Sequence, residues 1–167
     1  MKTSDSGIAL LKQLEACSLK AYPDASGYSI GYGHFGVQPG TVITQDEADM
    51  LLQADLEWAE KTVDRYCAGL SQQQFDALVS LCYNIGAGNF ARSTVVRLIR
   101  EDGPSPRAEL RTAWQLWNKS QGKTLQSLVR RRNLEYDHYA ANDGIKKKTA
   151  DTGPRPPIDS GYHCRLK

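Results

Sequence analysis

Cysteine is sparse in this chain. It holds four in 167 residues, Cys17, Cys67, Cys82 and Cys164, with no CxxC pair, and only three histidines. Zinc sites are built from closely spaced Cys and His ligands, so no metal site is expected, and nothing in the sequence calls for another cofactor. A disulfide-built fold does not suit a chain of this size and cysteine density. Cys67 and Cys82 read instead as small buried hydrophobes. Long apolar runs are missing too. The N-terminal MKTSDSGIALLKQLEACSLK is interrupted by Lys12 and Glu15 and has no signal-peptide core, and nowhere do 18 apolar residues follow one another. The expectation is a soluble chain with no secretion signal of its own and no stable membrane insertion. There is no GxSxG elbow, which leaves serine hydrolase chemistry without support, and no internal repeat.

What is present is ordinary in bulk. Hydrophobic residues make up 40% and charged residues 24%, which excludes a fibrous, largely disordered or coiled-coil chain and fits one globular domain. The net charge of +2 hides an asymmetry: residues 1–60 carry −6 and residues 61–167 carry +8. A positive field of that kind steers encounters with a polyanion: nucleic acid, a membrane surface or an anionic cell wall. No helix-turn-helix, aromatic–basic repeat or zinc pattern supports nucleic acid, so no nucleic-acid partner is expected.

Along the chain, Ile8, Leu11 and Leu14 recur at helical spacing, which predicts a helix over about 6–18 with Glu15 near its end. Residues 19–43 hold five Gly and two Pro among aromatic and β-branched residues and read as short antiparallel strands. Thr44-Gln-Asp-Glu47 is a capping box, and the helical pattern then runs without Gly or Pro to about Cys67. Ser71-Gln-Gln-Gln74 repeats the capping signal before Phe75, Leu78, Val79 and Cys82. NIGAGNF (84–90) reads as a glycine-broken turn, and further helices are expected over 91–101, from Pro106 to about Lys119, and over 125–139, with a loop at Ser120–Thr124. Val95, Leu98, Trp114, Trp117, Leu128, Val129 and Leu134 are the expected core. The predicted architecture is α+β: residues 1–141 form one domain, with lobes 1–43 and 68–141 joined by a long helix over 44–67. Residues 142–167 follow as a tail, either loosely held or anchored by Tyr162 and Cys164.

The densest polar cluster is in the glycine-rich lobe: Glu15, Asp24, Ser29 and His34. A hairpin folding back over a helix end can face two carboxylates across a cleft. The less solvated one keeps its proton and acts as an acid, while the other stays ionised. Such a pair is the minimum equipment for breaking a glycosidic bond. Taken singly, each residue also has a structural reading: a solvated Glu, an Asp in an Asx-turn, a strand Ser and a hydrogen-bonding His.

The stretch EACSLKAYPDASGYSIGYGH resembles the signature of the phage-type lysozymes (endolysins), glycoside hydrolase family 24, whose pattern is a helix ending in Glu followed by "LKAY.D..G...TIGYGH". FDALVSLCYNIGAGNF is similar to that family's "Q..AL.SF.FN.G...F", and residues 114–139 to its closing "W...GGK.L.GL..RR..E...F". The resemblance spans about residues 8–139. It implies a lysozyme-like fold in which Glu15 is the catalytic acid, Asp24 the second carboxylate and Ser29 the third catalytic residue. The chain departs from the pattern in having Ala16 after the Glu, Ser for Thr at position 29, and four rather than five residues between Asp24 and Ser29. The GGK loop is Ser120-Gln121-Gly122-Lys123.

The resemblance implies hydrolysis of the β-1,4 bond between N-acetylmuramic acid and N-acetylglucosamine in peptidoglycan glycan strands. Glu15 would have a raised pKa and protonate the leaving oxygen, Asp24 would position water or stabilise positive charge on the sugar ring, and Ser29 would help to hold that water. Inversion would set the carboxyls roughly 6.5–9.5 Å apart. The alternatives are a non-hydrolytic lytic transglycosylase and an inactive wall-binding module of the same fold. His34 is expected to brace the lobe around Glu15. Arg130, Arg131 and Arg132 would favour the anionic wall, with pairing inside the molecule as the other reading. The resemblance further implies a monomeric, phage-encoded lysis enzyme. Such an enzyme would wait in the host cytoplasm, depend on a phage-encoded membrane pore and act on the cell wall in the periplasm; a virion-borne enzyme is the variant reading.

Overall fold

Ser4 opens the first helix: its side chain accepts a hydrogen bond from the Gly7 amide at 3.3 Å and caps α1 (Asp5–Leu14). The computed structural model describes residues 1–24 and 26–141, so the tail over 142–167, with Tyr162 and Cys164, lies outside the described residues. The helix ends sooner than its apolar period suggests. Glu15 is already extended at φ −103°, ψ 138°, and its amide closes the last turn on the Leu11 carbonyl at 2.9 Å. Glu15 is thus the residue at which the chain leaves the helix for the sheet.

Three antiparallel strands follow in the order β1 (Ser18–Asp24), β2 (Gly27–Gly31) and β3 (His34–Phe35). Tyr22 and Phe35 flank Ser29 in register, and Asp24 pairs with Gly27 across the hairpin. Between β2 and β3 the chain reverses through Gly31 and Gly33, at φ +60° and +104°, where an L side chain is strained. Ile30 and Ser29 on β2 are fully buried, and β2 packs on the next helix.

The capping box forms as its sequence suggests: the Thr44 amide donates to Glu47 Oε2 at 2.7 Å, and the Glu47 amide donates to Thr44 Oγ1 at 3.2 Å. The helix predicted to run from 44 to about 67 is kinked. It forms α2 (Gln45–Asp55) and α3 (Glu57–Tyr66), joined at buried Leu56, φ −73° and ψ −17°. On one side of the kink α2 packs on the sheet, and on the other α3 packs on α4 (Gln72–Ile85). The stretch Phe75–Cys82 of α4 is buried at every position, the mark of a helix enclosed on all sides.

Gly86, at φ +83°, ends α4, but the rest of NIGAGNF is not a turn: Ala87–Ala91 form the short α5. Ser93 caps α6 (Thr94–Asp102), which therefore starts three residues later than the pattern suggests. Pro106 precedes the cap residue Arg107 rather than opening the helix, and α7 (Ala108–Gln115) stops four residues short of Lys119. The predicted loop at 120–124 belongs instead to a hairpin of β4 (Lys119–Ser120) and β5 (Lys123–Thr124). It turns at Gln121 and Gly122, both with positive φ as a tight two-residue turn requires. The last described helix, α8 (Gln126–Tyr139), packs along α4.

Trp114 anchors the helical core, its ring edge-on to Tyr136 and Tyr139 at centroid distances of 5.8 and 5.2 Å. Of the expected core, Val95, Trp114 and Leu128 are buried, while Leu98, Trp117, Val129 and Leu134 are half-buried at its rim. Cys67 and Cys82 are free and buried, and burial pushes each thiol up to about 12. Two buried carboxylates bind the N-terminus to the helices, one of them Glu60, which the helical pattern puts on the solvent side. Glu60 accepts from the Thr3 amide at 2.8 Å and from Lys2 Nζ at 2.8 Å. Asp76 accepts from the Ser4 amide at 3.0 Å and from Gln72 Nε2 at 2.8 Å.

Candidate active site

Asp24 and Ser29 come together because β1 and β2 form a tight hairpin. Asp24 is the last residue of β1, where it pairs with Gly27, and Ser29 stands two residues further along β2, opposite Tyr22. Ser29 is wholly buried, and its Oγ donates to Asp24 Oδ2 at 2.7 Å; a hydroxyl that donates in this way can still accept. The one-residue shortening of this hairpin therefore does not separate the hydroxyl from the carboxylate.

Glu15 is engaged from the helical side. Arg131 of α8 brings Nη2 to 2.8 Å from Glu15 Oε1, with the Glu15 side chain 22% exposed and the Arg131 side chain 7% exposed. Behind Arg131 lies Glu135, completely buried. It accepts from Arg131 Nε at 2.9 Å, Ser80 Oγ at 2.9 Å and Trp114 Nε1 at 3.0 Å, and Arg132 Nη1 stands 3.1 Å from its other face. Arg132 Nη2 donates to Asn84 Oδ1. Burial works against the Arg131 cation, but the carboxylates of Glu135 and Glu15 outweigh it and hold the guanidinium above its usual value; for Arg132 burial prevails.

Of the two readings of the arginines, pairing inside the molecule holds for Arg131 and Arg132, which are buried on Glu15 and Glu135, while Arg130 is exposed. The reason is that α8 presents this stretch to α4 and α7, where Glu135 supplies the counter-charge. His34, expected to brace this lobe, has its Nδ1 3.0 Å from both carboxylate oxygens of Asp55, at the end of α2.

Tyr83 of α4 lies among these charges. Burial raises its phenol strongly, and the carboxylates of Asp55 and Glu15 add to the shift. Trp58 of α3 stacks on it at 6.0 Å with 41% of its surface exposed. Sequence reading missed Arg131, Glu135, Asp55 and the Trp58–Tyr83 pair as parts of this site. A signal existed for one pair: Arg131 and Glu135 are four apart on a helix, the spacing at which opposite charges meet. Among the described residues no three His, Cys, Asp or Glu side chains group as metal ligands, and no helix is long and apolar enough to cross a membrane.

The chain as a whole is similar to known proteins. The model of the phage lysozyme family matches residues 12–135. The chain belongs to the phage lysozyme family. An endolysin of Salmonella phage P22 is 39% identical over 81% of this chain and 95% of its own length, and an endolysin of Bacillus phage PZA is 41% identical over 90% of this chain. The chain spans only 58% of the length of the PZA protein, and similarly little more than half of an endolysin of Bacillus phage B103. Among solved structures, the muramidase domain of SpmX from Asticaccaulis excentricus has a TM-score of 0.77 at 34% identity, covering 84% of this chain and 99% of that one. The segment shared with the phage lysozyme family contains Glu15, Asp24, Ser29, Arg131 and Glu135, so the hairpin and the buried charge cluster both lie within it.

Proposed function

We propose that this chain is a muramidase that hydrolyses the β-1,4 bond between N-acetylmuramic acid and N-acetylglucosamine in peptidoglycan. The observation that carries the reading is the Ser29 hydroxyl bound to Asp24 at 2.7 Å in the hairpin of a phage lysozyme family member. With its hydrogen given to Asp24, Ser29 accepts from a water, and Asp24 accepts that water's second hydrogen. The water oxygen attacks the anomeric carbon from the face away from the leaving sugar, and Asp24 takes up its proton. Glu15, at the helix end, gives its proton to the leaving oxygen. The bond therefore breaks with inversion and without metal or cofactor.

Residues 1–141 are the catalytic unit in this reading, acting as a monomer on glycan strands. For a phage lysis enzyme, the place of action is the periplasmic wall, reached from the host cytoplasm through a phage-encoded membrane pore. Muropeptide mass spectrometry tests the chemistry. Hydrolysis yields reducing ends one water heavier than the 1,6-anhydro products of a lytic transglycosylase, and a predominantly α product supports inversion. Glu15→Gln is expected to lower turnover about 10²–10⁴-fold, the scale of general acid catalysis. Anhydro products, or an E15Q variant as active as wild type, overturn the assignment.

A further inference from the structure

Glu135 has no part in the chemistry proposed above, yet it is the most completely engaged carboxylate of the site. It is fully buried and meets Arg131 and Arg132 from its own helix, Ser80 from α4 and Trp114 from α7. Stability alone is a poor account of such a group, because buried ion pairs are often no more stabilising than well-packed apolar residues of the same volume. Its position suggests another account. Two buried guanidinium groups lie behind Glu15, and Arg131 touches it at 2.8 Å. A cation beside a carboxyl favours its ionised form, whereas a proton donor must arrive protonated. Before Glu15 ionises, the cluster of Arg131, Arg132 and Glu135 carries +1; without Glu135 it would carry +2.

We propose that Glu135 is a positioning residue for Glu15: it turns the Arg131 guanidinium so that Nη2 meets Glu15 Oε1, and its negative charge offsets the two arginines that lie behind that carboxyl. The inference rests on Glu15 being the proton donor. The groups that face this pair are Arg131 and Arg132 from α8, Tyr83 and Ser80 from α4, and Trp114 from α7. Asp55, which His34 meets at the end of α2, is a further charge close enough to act on Tyr83, while the arginines are the charged groups in direct contact with Glu15 and Glu135.

The test compares full-length wild type, Glu135→Gln, Arg132→Met and Glu15→Gln on solubilised, dye-labelled peptidoglycan, with circular dichroism to establish folding. E135Q removes a negative charge and keeps the shape. Its kcat is expected to fall about tenfold with KM within about twofold, and the alkaline limb of its kcat–pH profile to move down by about one unit. R132M removes a positive charge that does not touch Glu15, so its alkaline limb is expected to move the opposite way, to higher pH. A merely structural role moves neither limb. A folded E135Q with the wild-type limb, or an R132M limb that stays or moves down, overturns the proposal. R132M alone decides it where E135Q does not fold. An inactive E15Q beside an unshifted E135Q rejects only the role of Glu135, whereas an active E15Q rejects the reading of Glu15 itself.

Discussion

Gly7 shows how closely single residues are fitted. It lies in the first turn of α1, where alanine is ordinarily the better helix former by about 1 kcal/mol. A Cβ there would stand 2.6 Å from Asp76 Cγ and 2.7 Å from Asp76 Cβ. Asp76 has nowhere to retreat, because it is fully buried and holds the Ser4 amide and Gln72. Displacing it gives up hydrogen bonds to a charged group, each worth about 1.5–3 kcal/mol. Gly7→Ala is therefore expected to destabilise the protein by about 1–3 kcal/mol in urea unfolding, against the direction of helix propensity, and a variant as stable as wild type would refute the fit. At this scale the sequence was legible where the chain is local. Asp24 and Ser29 are five positions apart, and a glycine-rich hairpin is enough to join them. Arg131 reaches Glu15 from 116 residues away, and no short-range pattern in a single sequence reports such a contact.

The docking of α1 is decided by two carboxylates acting on one element. Burial pushes Asp76 up, but the His138 ring 3.7 Å away and hydrogen bonds from Ser4 and Gln72 outweigh it and leave the group below its usual range. Burial likewise opposes Glu60, and Lys2 and Thr3 outweigh it in the same direction. A carboxyl depressed in the native state contributes stability above its unfolded value, near 4. That contribution is lost as pH falls through the lower native value. Asp76→Asn is thus expected to cost about 2–3 kcal/mol at pH 7. The gap from wild type should close as the pH falls below about 4, and thermal melts across pH 2–7 check it; a gap independent of pH rules out the charge as its source. Elements were readable where their ends carry side-chain chemistry: the capping boxes at Thr44 and Ser71 both form. They were less readable where the cause is tertiary. No Gly or Pro marks the kink at Leu56, and the hairpin at Lys119–Thr124 is set by the backbone at Gln121 and Gly122 in a stretch too short for any period.

Over the whole molecule the charge asymmetry survives folding, but not through the residues that first suggested it. Arg131 and Arg132 are spent inside on Glu135 and Glu15, and Arg97 and Arg111 are paired at the surface with Glu101 and Asp137. Among the described residues the outward field of the helical part then falls to exposed Arg65, Arg92, Arg100, Lys119, Lys123 and Arg130. Such a field acts on encounter with a polyanion rather than on the bond-breaking step, and salt screens it: the Debye length shrinks from about 10 Å at 0.1 M to about 3 Å at 1 M. For the activity proposed above this separates two readouts. Between 0.05 and 0.5 M NaCl the half-saturating amount of anionic wall is expected to rise several-fold while kcat stays level. Reversing Arg92 and Arg100 to Glu should flatten that dependence and leave kcat at its wild-type value, since neither residue is part of the cleft chemistry proposed here. A salt response that falls on kcat instead would place the sensitivity in the Glu15–Arg131 pair. That outcome is disfavoured by the burial of the Arg131 side chain, 7% exposed, where ions in solution screen weakly.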